Sequence, residues 1–315
     1  MRHPLLILLF LVASCAADTD AGLPRVHDYR ADEHFDPAEA VSGSFGTRVQ
    51  CALTPQALWV TVSGHADCLR YYAGGALEEA PKVVVFLDGD VLEQVRNRTV
   101  ATPDYGEGSP RTWETWATSW AWRTGLPTIY LARPGTMGSS GNQNERRQQA
   151  ETLELNAALD QLKARYHIGQ FGLAGQSGGG GLVAALIAER SDVLCAVSFS
   201  GVVAIATRNA LRGIKTDATG YTTVWDPIAQ VGRVRQGPDF RLFLLGDPAD
   251  AQVPFGSQLV YADAATEAGL HPIVIQAIGT GRDHHLLAQA GLPLTADCLD
   301  GTPTDALIAK YQRLR

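Results

Sequence analysis

The stretch Gly175-Gln176-Ser177-Gly178-Gly179 decides how this sequence folds. It is a G-x-S-x-G. Ahead of it runs Gln170-Phe171-Gly172-Leu173-Ala174, short and apolar, and behind it a second apolar run covers residues 180–189. The first reads as a buried strand and the second as a buried helix. A serine on a tight turn from strand to helix has its hydroxyl pushed clear of the sheet. Glycines are needed beside it because side chains there would collide with the strand or the helix. Ser177 is therefore the candidate nucleophile.

Working outward, the apolar runs at 83–87 and 128–132 read as strands buried on both faces. Runs at 193–199, 241–245 and 272–276 supply further strands. Residues 146–166 read as a helix, with Leu155, Leu159, Leu162 and Tyr166 on one face, and 303–313 as a closing helix. Alternation of strand and helix predicts an α/β fold, a mostly parallel sheet with helices on both faces. Two strands at 58–62 and 68–72, separated by a turn-forming break, predict an antiparallel hairpin ahead of it. Residues 21–50 are polar and weakly patterned and read as a tether, leaving 51–315 as one domain.

The chain has 315 residues, 45% hydrophobic and 19% charged, with a net charge of −7. That composition is globular, and the absence of any basic run argues against nucleic-acid binding. Residues 1–20 read as a signal peptide. Met1-Arg2-His3 is its basic start, and the apolar run 5–13 is too short to span a bilayer. Val12-Ala13-Ser14-Cys15 resembles a bacterial lipobox, which makes Cys15 a candidate for lipidation and membrane attachment; ordinary cleavage near Ala16 or Ala17 is the alternative. The expected address is the cell envelope or the exterior. Four further cysteines in an exported chain suggest disulfides. Cys51 and Cys68 flank the hairpin and are expected to pair, with Cys195–Cys298 as the second bridge. Their spacing fits no zinc pattern, and neither a metal nor a cofactor is expected.

A serine hydroxyl needs a base to take its proton and a third group to orient that base. On a strand–turn–helix scaffold of this kind the partners follow in the order serine, acid, histidine. The loop after 241–245 offers Asp250 as the acid, within Asp250-x-x-Val253-Pro254, and Asp247 as the alternative. The loop after 272–276 offers His284 as the base and His285 as the alternative. Backbone N–H groups of Gly178 and Asp90 are expected to hold a developing oxyanion. The carboxylates of Asp88 and Asp90 would repel it unless turned away or paired. Arg147 and Glu151, four apart, are expected to pair on one helix face, with the grip of a substrate carboxylate as the alternative for this arginine cluster. Trp113, Trp116, Trp120 and Trp122 read as helix packing, or as a pocket wall beside the oxyanion loop.

Taken in order, Leu87-Asp88-Gly89-Asp90, Ala132-Arg133-Pro134-Gly135, the serine motif, Asp250-x-x-Val253-Pro254 and Asp283-His284-His285 resemble the α/β-hydrolase superfamily from about residue 82 to 315. Within it the chain is similar to the branch of prolyl oligopeptidase and acylaminoacyl peptidase catalytic domains and to dienelactone hydrolase-like esterases. The resemblance implies an eight-stranded sheet, a metal-free serine mechanism and an acyl-enzyme. Two features depart from the oligopeptidase pattern: there is no room for a propeller before residue 82, and Gly178 stands where those peptidases have tyrosine. Residues 202–240 leave space for only a short cap insertion. The expectation is a serine hydrolase acting on a small ester or a short peptide, with ester preferred and peptide cleavage as the alternative. A non-catalytic envelope lipoprotein on the same scaffold is the reading from another class, and the ordered triad argues against it.

Overall fold

Residues 83 to 87 alternate between two cores: Val83, Val85 and Leu87 enter one, Val84 and Phe86 the other. A strand that is apolar at every position must be covered on both sides, and this one is. The structure, a computed structural model, describes residues 22–62 and 64–313. The expected signal peptide and Cys15 lie outside the described residues.

In chain order the elements are α1 (Pro37–Ser42), α2 (Arg48–Leu53), β1 (Ala57–Val62), β2 (His65–Gly74), β3 (Lys82–Leu87), β4 (Leu92–Val95), β5 (Arg98–Ala101) and α3 (Pro110–Thr124). Then follow β6 (Thr128–Leu131), α4 (Gln149–Tyr166), β7 (Gln170–Gln176), α5 (Gly178–Leu186), β8 (Val193–Phe199) and α6 (Ile205–Leu211). The chain closes with β9 (Arg241–Gly246), α7 (Phe255–Glu267), β10 (Ile273–Gln276), α8 (Ala288–Leu299) and α9 (Thr304–Tyr311). Eight strands form one sheet in the order β1-β2-β6-β3-β7-β8-β9-β10. Only β2 runs against its neighbours; the contacts from β6 to β10 are all parallel. Side chains of α4, α5 and α7 fill one core, and those of α3, α8 and α9 fill the other. The strand–helix alternation of the sequence is thus the fold, with helices on both faces of a mostly parallel sheet. Both expected disulfides are present: Cys51–Cys68 joins α2 to β2, and Cys195–Cys298 joins β8 to α8. Among the described residues no helix is long and apolar enough to cross a membrane.

Three details depart from expectation. Helix α4 begins at Gln149, not 146, because Arg147 takes a left-handed φ of 65° and the two preceding turns belong to a loop. A second insertion, the β4–β5 hairpin, stands beside the expected one at 202–240. The segment read as a tether is folded onto the domain. Tyr29, Phe35 and Ala40 are buried in the second core, and Ser44 exchanges backbone hydrogen bonds with Gly141. A few well-placed aromatic residues suffice for this, so low average hydropathy was a poor guide.

That packing is testable. Phe35 is 1% exposed, so Phe35→Ala should destabilise the domain by about 3–5 kcal/mol, the usual penalty for emptying a buried aromatic site. Urea unfolding measures it; a change below about 0.5 kcal/mol would restore the tether.

Candidate active site

The turn after β7 holds Ser177 at φ 56°, ψ −118°, a region that non-glycine residues seldom adopt. Three hydrogen bonds fix it there. The Ser177 N–H donates to the Phe199 carbonyl at 3.0 Å, and its own carbonyl accepts from Gly181 at 3.2 Å and Val202 at 2.9 Å. The neighbouring glycines are required by contact. A Cβ on Gly179 would stand 2.0 Å from the Leu87 carbonyl oxygen, and one on Gly178 would stand 2.3 Å from an Asp90 carboxylate oxygen. The Asp90 side chain fills the place a tyrosine at 178 would need.

The loops after β9 and β10 meet edge to edge, the Ala251 N–H donating to the Asp283 carbonyl at 3.0 Å. Asp250 accepts from the backbone N–H groups of Gln252 and Val253 through one oxygen. Its other oxygen is 2.8 Å from Nδ1 of His285, and both side chains are buried. This corrects the expected pairing, in which His284 was the partner of Asp250. His284 has a left-handed backbone, φ 54°, and its half-exposed ring stands 3.8 Å from Asp247. Asp247, the alternative acid, is fully buried and accepts from the N–H groups of Ala249 and Gly279, which orders both loops.

Gln176 went unnoticed in the sequence. Its amide donates to the His285 carbonyl at 2.9 Å and accepts from the Leu287 N–H at 2.9 Å. The residue before Ser177 therefore clamps the loop that carries His285. The available signal was its polarity at the end of an apolar strand, since a buried amide must find partners.

The loop after β3 lies against the serine: a Cβ on Gly89 would be 3.3 Å from that of Ser177. Both awkward carboxylates of this loop are accounted for. Asp90 contacts Arg133 at 2.9 Å, Arg146 at 3.2 Å and Arg147 at 2.6 Å. Burial alone would raise its pKa, but Arg147, Arg146 and Arg133 hold it well below the usual carboxylate range. Asp88 moves the other way. Burial raises its pKa, and it is held by the Gly89 N–H at 2.7 Å and the Tyr130 hydroxyl. The Asp90 N–H donates to no protein group among the described residues, and Gly178 opens α5, where first-turn amides have no helical acceptor. Glu151 does not receive the Arg147 side chain as expected. It pairs with Arg133 at 2.7 Å and accepts the Arg147 backbone N–H, while the Arg147 guanidinium turns to Asp90 and Asp217.

Ser177, Gln176 and His285 open onto one cleft of about 960 Å³; His284 does not line it. Trp113 and Met137 form part of its wall. Both readings of the tryptophans therefore apply. Trp113 stacks on Tyr130 with centroids 4.1 Å apart and also faces the cleft, Trp116 and Trp120 pack inward, and Trp122 is 84% exposed. Arg208, on the insertion, reaches the cleft without a carboxylate on it among the described residues, and burial with Arg147 and Arg212 nearby pushes its pKa down to about 10.

No protein-family model matches the sequence, and no curated protein matches it either. Solved structures do. An esterase of Pyrococcus furiosus superposes with a TM-score of 0.54 at 14% identity, over 85% of this chain and 99% of its own. A puromycin-hydrolysing peptidase of Mycobacterium tuberculosis gives 0.51 at 16% identity, over 78% of this chain and 39% of its own. An acylaminoacyl peptidase of Pyrococcus horikoshii gives 0.50 at 14% identity, over 78% and 40%. The chain thus spans less than half the length of these two peptidases and nearly all of the esterase.

Replacing Asp90 by Asn leaves Arg133, Arg146 and Arg147 buried around a neutral side chain. Stability should fall by about 3–5 kcal/mol, read from denaturant unfolding at pH 7. The sign with pH follows from the depressed pKa. The Asp90 contribution is fully present above the ordinary carboxylate range near pH ~4. It is lost as pH falls below that range, so wild type and variant should converge only in strong acid.

Proposed function

We propose that this chain, an α/β-hydrolase by fold, is a serine hydrolase that cleaves a carboxylic ester through Ser177, His285 and Asp250. The single observation that carries the reading is the 2.8 Å contact of His285 Nδ1 with Asp250, in the cleft onto which the strained Ser177 opens. With Nδ1–H given to Asp250, Nε2 is the free base. It takes the Ser177 proton as Oγ attacks the ester carbonyl, and returns it to the leaving alcohol. Asp250 keeps the ring oriented and stabilises its positive charge. The Gly178 and Asp90 N–H groups receive the oxyanion. Asp90 is held by three arginines, which supports such a role by neutralising the carboxylate nearest to it. A second turn of the same base then delivers water to the acyl-enzyme.

We take the substrate to be a small ester, because the cleft is open and walled by Trp113 and Met137 without a deep covering domain among the described residues. The two disulfides support an oxidising compartment, in keeping with export, and Cys15 is our assignment for lipid attachment at the envelope.

A fluorophosphonate probe should label the folded protein at pH 8 and fail on Ser177→Ala; a folded wild type that resists labelling sinks the reading. His285→Ala should lower kcat/KM on a p-nitrophenyl ester by at least ~10³-fold, while His284→Ala stays within about threefold, since His284 does not reach the cleft. The reverse order would return the base to 284. Turnover of aminoacyl anilides without turnover of esters would replace the esterase by a peptidase.

A further inference from the structure

At the start of β2, beside the turn that leads in from β1, His65 and Asp67 stand two residues apart and so share a face. Glu154, on the second turn of α4, comes down onto the same face. One donor atom from each of the three, an imidazole nitrogen and two carboxylate oxygens, lies within 4.8 Å of the others. They form part of the wall of a cavity of about 40 Å³ with Gly141, Asn142 and Glu145, room for an ion and a few waters. None of the three lines the Ser177 cleft.

Glu154 is the observation that needs an explanation. Its side chain is 3% exposed, and its nearest basic group is the His65 ring at 3.7 Å. Among the described residues no hydrogen-bond donor contacts its carboxylate, and no arginine or lysine pairs with it. Arg146 also borders the cavity, but its guanidinium is turned to Asp90 and to the Gln143 carbonyl. A buried carboxylate normally has a charged or hydrogen-bonding partner.

We propose that His65, Asp67 and Glu154 bind one divalent transition-metal ion of the zinc or manganese type, at a site apart from the serine cleft. A nitrogen and two carboxylates suit these ions and not a soft, thiolate-seeking one. Tetrahedral ligands at about 2.1 Å from one zinc stand ~3.4 Å apart; the His65 ring is already 3.7 Å from Glu154, and no pair of the three donor atoms has to close by more than about 1.4 Å. Asp67 is already oriented by the Ser140 hydroxyl at 2.6 Å, as ligating carboxylates generally are. Three protein ligands leave a fourth position for water. The cysteine spacing excluded only a thiolate zinc site and is silent on this one. The ion would tie β2, α4 and the loop at 134–142 together, next to the Cys51–Cys68 bridge.

The test is zinc binding by the mature chain freed of any affinity tag, measured by dialysis against micromolar Zn²⁺ followed by elemental analysis and thermal unfolding. One zinc per chain is expected, with Tm raised by about 5 °C at saturation. His65→Ala and Glu154→Gln should each weaken binding by at least tenfold and remove the Tm shift while keeping the wild-type circular-dichroism spectrum. His285→Ala should bind as wild type does. Retention of less than a tenth of an equivalent by the wild type overturns the proposal. So does zinc that both site variants retain, or that is lost in His285→Ala alone. None of these readouts depends on hydrolysis, so they stand or fall separately from the esterase reading.

Discussion

The backbone of Ser177 is the constraint on which the rest of the site depends. Holding a serine at φ 56°, ψ −118° costs about 1–3 kcal/mol, and it persists only where the surroundings over-determine it. Here β8 accepts its N–H, and α5 and the Val202 segment donate to its carbonyl. The close approach of Gly179 to the end of β3 lets α5 start where it does. Relaxing the turn would therefore move three elements at once. The same conformation lifts the hydroxyl off the sheet and brings the amino end of α5 to the cleft, so the placing of the Ser177 side chain and of the first-turn amides has one structural cause.

The absence of a side chain at 178 has a consequence on the other side of the cleft. It leaves room for the Asp90 carboxylate, and that carboxylate is tolerable only because Arg133, Arg146 and Arg147 surround it. Glu151 and Asp217 take up the remaining positive charge. Three arginines thus face three carboxylates, and the cluster carries little net charge. Its effect is better understood as rigidity than as field. Buried ion pairs rarely add much stability over apolar packing, but breaking one is expensive. The cluster pins the loop after β3 to the start of α4, and so to the turn of Ser177.

What the sequence disclosed follows the range of the interactions involved. Apolar periodicity is local, and every strand of the large sheet was legible from it, as were the helices α4 and α5. The side chains fixed by loop geometry were not. His284 and His285 are adjacent and chemically identical; a left-handed residue at 284 and a bridge from Thr280 to Leu286 decide which ring meets Asp250. The β4–β5 hairpin was missed because its turn is Arg96-Asn97, both at positive φ, without the glycine that usually announces such a turn. The tether failed for another reason. Tyr29 and Phe35 are single aromatics in a polar stretch, and their burial depends on α3 and the loop after β6, far away in the chain.

Gln176 shows how these separate pieces are held in register. Strand alternation points its side chain to the face opposite Leu173, the face covered by α8 and the loop that precedes it. A carboxylate there could accept from Leu287 but not donate to the His285 carbonyl, and a lysine could donate but not accept. An amide does both. The residue next to Ser177 in the chain thus fixes the backbone of His285 more than a hundred residues later, while Asp250 fixes its ring. Ser177 and His285 are positioned by one strand end, and Asp250 only has to turn the imidazole.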